Sequence, residues 1–172
     1  PKGERIGVDG AESDRVNLQS EIETLRRSLN DYEVNRLREI GKDAAAALGE
    51  AMLDIDPEMS EVEVAGEIAE DLWERNLEPV VLLVAGQDRI KKFRHPLPTT
   101  AEVGNTVMGV ICARRKGLIA SVTRIVNFGE ISSEMHSTYQ RLLKVESAFL
   151  DNTKVGATFA EAFKAGTLSY LT

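Results

Sequence analysis

Between Glu102 and Glu130 the chain has no carboxylate. Any reading of that stretch that needs an acidic ligand or an acid–base pair there is excluded. There is one cysteine, Cys112, so no intrachain disulfide can form. It lies in an apolar run and reads as a small buried hydrophobe. Aromatics make up only 5% of the residues, so the core must be built from aliphatic side chains. No apolar run approaches the length needed to span a bilayer, and no signal-peptide pattern is visible. A basic excess is also missing. The net charge is −7, which argues against a dedicated nucleic-acid binder, because phosphate neutralisation needs a positive surface. A reducing, cytoplasmic setting is the default expectation.

What is present suits one globular domain of 172 residues with 42% apolar content. Residues 5–9 read as a short strand closed by Gly10, and 14–28 as a helix carrying Val16, Leu18, Ile22 and Leu25. Asn30 and Glu33 form a capping pattern for a helix to about Leu53, with Val34, Leu37, Ile40, Ala44, Ala47 and Leu48 inward. Ser60 and Glu63 form a second, for a helix to about Arg75 with Val64, Ile68, Leu72 and Trp73 inward and Asn76 as its stop.

The period then changes. Pro79–Ala85 is a continuous apolar run, expected as a strand covered on both faces. Thr106–Ala113 and Leu118–Asn127 read as two arms of a hairpin turning at Arg114-Arg115-Lys116-Gly117, with Gly117 suited to positive φ and the basic residues at an exposed tip. Ser132 or Ser133 opens a third helix with Met135, Tyr139, Leu142, Leu143, Val145 and Phe149 inward, and Thr158 with Glu161 caps a fourth. The basic cluster from Arg89 to Arg94 reads as a solvated turn or helix face. Strands and helices do not alternate one for one, so the expected class is α+β with an antiparallel sheet and covering helices.

Three segments in order carry a family resemblance: Arg94-His95-Pro96-Leu97-Pro98-Thr99, then Val107–Ala113, then Gly117–Arg124. They resemble the first catalytic segment of the pita-bread metallopeptidases (prolidase, creatinase, methionine aminopeptidase). Ser121-Val122-Thr123-Arg124 resembles that family's Ser-Asp-x-Thr-Arg. Lys154-Val155-Gly156-Ala157-Thr158 resembles its Lys-Pro-Gly-x-Thr, and Ile6-Gly7-Val8-Asp9 the end of its N-terminal domain. The prolidase–creatinase branch fits best. The resemblance implies a pita-bread fold represented by its first half and the helices of its second. Residues 1–30 would be a remnant of an N-terminal domain with a linker helix, and 31–172 a partial catalytic-type domain. Pro1 without a Met, and a helical pattern running to Thr172, give the expectation of a fragment.

The resemblance also implies two divalent ions, Mn, Co or Zn, held by two Asp, one His and two Glu. The Asp pair would sit eleven residues apart on the hairpin arms, where this chain has Ile111 and Val122. Neither offers a lone pair, so no metal is expected there. A shift of one residue would bring Ser121 into place but would reverse every side chain. His95 falls where the family has a substrate-contacting His, and Arg124 where it has an Arg pairing with acids inside the sheet. His136 reads as a surface residue. The expectation is an Xaa-Pro dipeptidase or aminopeptidase-like protein with a degenerate metal site and no conventional two-metal peptidase activity. The alternatives are a module that binds a peptide or small molecule without cleaving it, a metal-free creatinase-type hydrolase using His95, and a structural role as a homodimer.

Overall fold

The computed structural model describes residues 7–10 and 15–171. They form two compact units that meet in sequence between Val126 and Asn127. The first unit opens with two short parallel strands, β1 (Gly7–Val8) and β2 (Val16–Asn17). Helix α1 (Gln19–Arg27) follows. Arg5, Ile6 and Asp14, at the edges of the first expected strand and helix, lie outside the described residues. Val16 is in a strand and not in the helix, because the pairing with Gly7 claims it.

Helices α2 (Asp31–Ala51) and α3 (Glu61–Glu74) start where their caps put them. Asn30 accepts from the Glu33 N–H, and Glu33 accepts from the Asn30 N–H, both at 2.9 Å. Ser60 and Glu63 repeat the exchange, and Glu63, hydrogen-bonded by Ser60, is held below the usual carboxylate range. Asn76, at φ 54°, takes the left-handed stop after α3. Such caps contribute about 1 kcal/mol each, whereas each fully buried Leu or Ile contributes roughly 1.5–3 kcal/mol. Packing therefore decides where the helices lie. Ile40, Ala44, Ala47 and Leu48 of α2 are buried with Val64, Ile68 and Leu72 of α3. Trp73, expected inward, is 58% exposed, since the stripe through Val64, Ile68 and Leu72 already fills the covered face.

The sheet comprises β3 (Glu78–Gly86), β4 (Thr106–Arg115) and β5 (Leu118–Asn127), in that order. β3 and β4 are antiparallel, with Leu82 opposite Ile111 and Val84 opposite Gly109. A short helix, α4 (Gln87–Lys92), leaves the end of β3. Burial alternates along β4, with Val107, Gly109, Ile111 and Ala113 sealed and the residues between them half-buried. The sealed face is the one against α2 and α3: a methyl group built on Gly109 would stand 2.9 Å from Met52 Sδ and 3.2 Å from Leu48 Cδ1. β3 is not covered evenly on both faces. Val80 and Val81 are more than a third exposed, and only its second half is buried.

Lys116 (φ 49°) and Gly117 (φ 86°) form the two-residue turn between β4 and β5. The arginines beside it are not free tips. Arg114 makes a two-pronged pair with Glu78 at 2.7 and 2.8 Å. Arg115 reaches Asp43 at 2.7 Å and donates to the Arg75 and Asn76 carbonyls, so it ties α2 and the end of α3 to the hairpin.

The second unit is a helix pair, α5 (Ser133–Asn152) and α6 (Phe159–Ser169), capped by Ser132 and by a Thr158–Glu161 box. Phe149 lies against Phe163, with ring centroids 6.3 Å apart, and over Gly166. Val145, Ala162 and Gly166 are buried, while Tyr139 and Leu142, expected inward, are half exposed. Within this unit α5 has only α6 to pack on, so one stripe is covered and the others are not. Among the described residues no helix is long and apolar enough to cross a membrane.

Candidate functional site

The two-residue turn sets Arg115 opposite Leu118 and, counting away from it, Cys112 opposite Ser121 and Ile111 opposite Val122. The side chains agree. Cys112 Sγ and Ser121 Oγ share a hydrogen bond of 3.2 Å across the strands. Ile111 and Val122 are thus neighbours, on the face that packs under the helices. Ile111 is fully buried there. A position sealed beneath two helices is closed to a solvent-borne substrate. The accessible face at this level carries Val110, Cys112 and Ser121, half-buried or exposed.

The local sequence admits the same register. Only Val122 separates Ser121 from Thr123, while the family pattern Ser-Asp-x-Thr-Arg has two residues between Ser and Thr. Counted back from Thr123-Arg124, the Asp position falls on Ser121, and the position eleven residues earlier on Val110. Both pairs, Ile111 with Val122 and Val110 with Ser121, lack a carboxylate. Neither suits a pair of hard divalent ions, which take oxygen anions and imidazole. Among the described residues no three His, Cys, Asp or Glu side chains are grouped to hold a metal.

His95 lies on the loop between α4 and β4, exposed and without a side-chain hydrogen bond among the described residues. Arg124 is exposed on β5, and its guanidinium donates to the neighbouring Thr123 carbonyl at 2.9 Å. It makes no ion pair among the described residues, so the acid partner implied for it by resemblance is not seen. No hydrogen bond joins His95 or Arg124 to the Cys112–Ser121 pair. His136 is exposed in the first turn of α5.

Sequence reasoning missed Glu61, the only buried charged side chain among the described residues. Oε1 accepts from the Gly86 N–H at 2.9 Å and from Arg89 Nε at 2.8 Å. Oε2 accepts from the Thr99 N–H at 2.9 Å and the Thr99 hydroxyl at 2.6 Å. Burial works to raise its pKa. The Thr99 hydroxyl, the Gly86 and Thr99 N–H groups and the Arg89 charge outweigh it and hold the carboxyl below the usual range. Arg89 also donates to the Leu97 carbonyl at 3.0 Å and covers the Phe93 ring. Arg89 is therefore not part of a merely solvated basic face, although Lys91, Lys92 and Arg94 are exposed. The available signal was a Glu at the first helical position after Ser60; nothing in the sequence marked its partners 25 to 38 residues away.

A tight hairpin in an antiparallel sheet, backed by two capped helices and followed by a second helix pair, is the pita-bread arrangement of a class of metallopeptidases. Residues 35–167 match the family described as Metallopeptidase family M24, and the chain belongs to it. No curated protein sequence matches the chain. Solved structures do. Dipeptidase PepE from Mycobacterium ulcerans superposes with a TM-score of 0.83 at 19% identity, over 91% of this chain and 43% of that one. The prolidase from Pyrococcus horikoshii OT3 gives 0.83 at 17% identity, over 91% and 46%. An Xaa-Pro dipeptidase from Bacillus anthracis gives 0.77 at 24% identity, over 87% and 43%. The chain spans less than half the length of each.

Proposed function

We propose that this chain is part of an Xaa-Pro-peptidase-like protein that binds an Xaa-Pro peptide or a related small molecule without two-metal hydrolysis. The observation that carries this reading is the hairpin. At either alignment with the family motif the two ligand positions hold Ile111 with Val122 or Val110 with Ser121, and the nearest flanking carboxylates are Glu102 and Glu130. Burying a divalent cation against such groups costs far more than it returns. In active members of such a family the two ions polarise the scissile carbonyl and activate a bridging water; this half of the site has no groups to hold them.

Support for a retained ligand role comes from His95, exposed on a loop tethered from both sides, and from the M24 fold itself. The test is calorimetry with Mn²⁺ and with Ala-Pro, beside an assay for released proline. Heat from Ala-Pro, none from Mn²⁺ and no proline are expected. Stoichiometric Mn²⁺ binding with proline release overturns the reading. A metal-free reaction through His95 would instead give proline release without Mn²⁺, lost in His95→Ala.

A further inference from the structure

We infer that Glu61 is a positioning residue for His95, through a carboxylate that grips the His95 loop on both sides. This rests on the proposed ligand role of His95. The loop leaves α4 after Lys92 and bears His95 between two tethers, Arg89 before it and Thr99 after it. Both end on the same buried carboxylate, one on each oxygen. Arg89, oriented by Glu61, closes a third link to the Leu97 carbonyl, two residues beyond His95. Pro96 is buried, and Pro96 and Pro98 stiffen the short span that remains.

Farther on, the chain is held independently. Ala101 O and Thr99 O accept from the Glu61 and Val62 N–H groups at the start of α3. The Val103 and Gly104 N–H groups donate to the Met59 and Pro57 carbonyls. Residues 99–104 therefore keep backbone anchors without the Glu61 side chain, whereas the hydrogen bond that holds Arg94–Pro98 among the described residues comes from Arg89, which Glu61 orients. A fully buried carboxylate with four donors, one of them the charged Arg89, is costly to assemble. Its effect is to fix a loop whose exposed ring, His95, has no side-chain hydrogen bond among the described residues.

The chain has two histidines, His95 and His136, so their ring signals are assigned by single substitutions and His136, in the second unit, is an internal control. Glu61→Gln keeps the shape but turns an amide N–H₂ toward two donors. The expected result is a broadened or split His95 ring signal and about tenfold faster exchange of the loop amide of Thr99, whose N–H donates to Glu61. The His136 signal and the exchange of β4 amides should stay at wild-type values. If the His95 signal and loop exchange do not change, the inference fails. It also fails if loop, β4 and His136 all change together, since Glu61 is then a general folding residue. Should Glu61→Gln not fold, Thr99→Val removes the hydroxyl that donates to Glu61 and accepts from the Ala101 N–H at 3.3 Å. The His95 signal should shift in it and return in Thr99→Ser; an unchanged signal in Thr99→Val overturns the inference. Ala-Pro added to the wild-type chain tests the underlying reading separately. A His95 signal that ignores Ala-Pro removes the ligand role while leaving the Glu61→Gln comparison intact.

Discussion

The Cys112 thiol and the Ser121 hydroxyl share a hydrogen bond of 3.2 Å across the β4–β5 hairpin. Because side chains alternate across a strand, that contact fixes the side of the sheet on which every other hairpin residue lies. Ile111 and Val122 fall under the helices, and Val110, Cys112 and Ser121 on the accessible side.

A carboxylate introduced on the two sides should therefore behave in opposite ways. Ile111→Asp puts a charge among Leu82 and the α2–α3 packing and is expected to cost upwards of about 4 kcal/mol, close to the whole stability of a small domain. Cys112→Asp and Ser121→Asp, on the accessible face, should each stay within about 1 kcal/mol of wild type. Urea unfolding monitored by circular dichroism reads both. Equal losses at Ile111 and Cys112 would show that the second face is as tightly covered as the first.

Two glycines should differ for a related reason. A Cβ on Gly86 would enter the Val103 backbone, 2.8 Å from its carbonyl carbon, and backbone cannot yield cheaply. A Cβ on Gly109 meets the flexible end of Met52 at 2.9 Å and the Leu48 and Ile68 methyls at 3.2 and 3.3 Å. Gly86→Ala is expected to cost 3 kcal/mol or more, and Gly109→Ala about 1–3 kcal/mol, in the range of ordinary overpacking. Thermal melting of the two variants orders them, and the reverse order would refute the account.

Much of this architecture was legible. The capping residues Asn30, Ser60, Ser132 and Thr158 all open helices, because each signal lies within three residues of the bond it makes. The hairpin turn was legible for the same reason, since Gly117 supplies the positive φ that the turn demands. The family could be read from three short segments in order. The face of Ile111 could not. A one-residue ambiguity between Ser121 and Thr123 decides it, and only strand pairing resolves that. Trp73 and Tyr139 were misplaced because helical spacing shows which residues share a stripe and not how wide the covered stripe is. Glu61 was invisible because its partners come from the end of β3, from α4 and from the loop beyond, none of them local in sequence.

Arg114 and Arg115 are adjacent in sequence and unequal in role. The Arg114–Glu78 pair is 44% exposed on both sides, so despite its two-pronged geometry it should contribute no more than about 1 kcal/mol and weaken in high salt. Arg115 is half as exposed and also donates to the two carbonyls at the end of α3. Arg115→Ala should cost about 1.5–3 kcal/mol, with little dependence on salt, because it removes charge-assisted bonds to the two backbone carbonyls at the end of α3. Denaturation of both variants at low salt and in 1 M NaCl separates the two cases, and equal losses would contradict the assignment.

The acid limb of the stability curve should carry the signature of Glu61. Its carboxyl titrates lower in the folded chain than in the unfolded one, where glutamate has a pKa of about 4.3. At neutral pH the ionised form is present in both states, and the folded state gains the four donated bonds and the Arg89 attraction. As pH falls below about 4.3 the unfolded chain takes up a proton first, so unfolding becomes progressively easier until the folded carboxyl is protonated as well. Arg89 keeps its charge throughout and is left facing a neutral acid. Glu61→Gln removes this proton uptake, so the variant should be less stable than wild type at pH 7 and the gap should narrow steadily on acidification. Glu63 and Glu161, also held low by their capping bonds, remain in both proteins and cancel in the comparison. Urea midpoints from neutral pH down into the acid limb give the result; a gap that stays constant with pH would mean that folding does not shift the Glu61 carboxyl, and one that widens on acidification that the carboxyl is protonated in the folded chain.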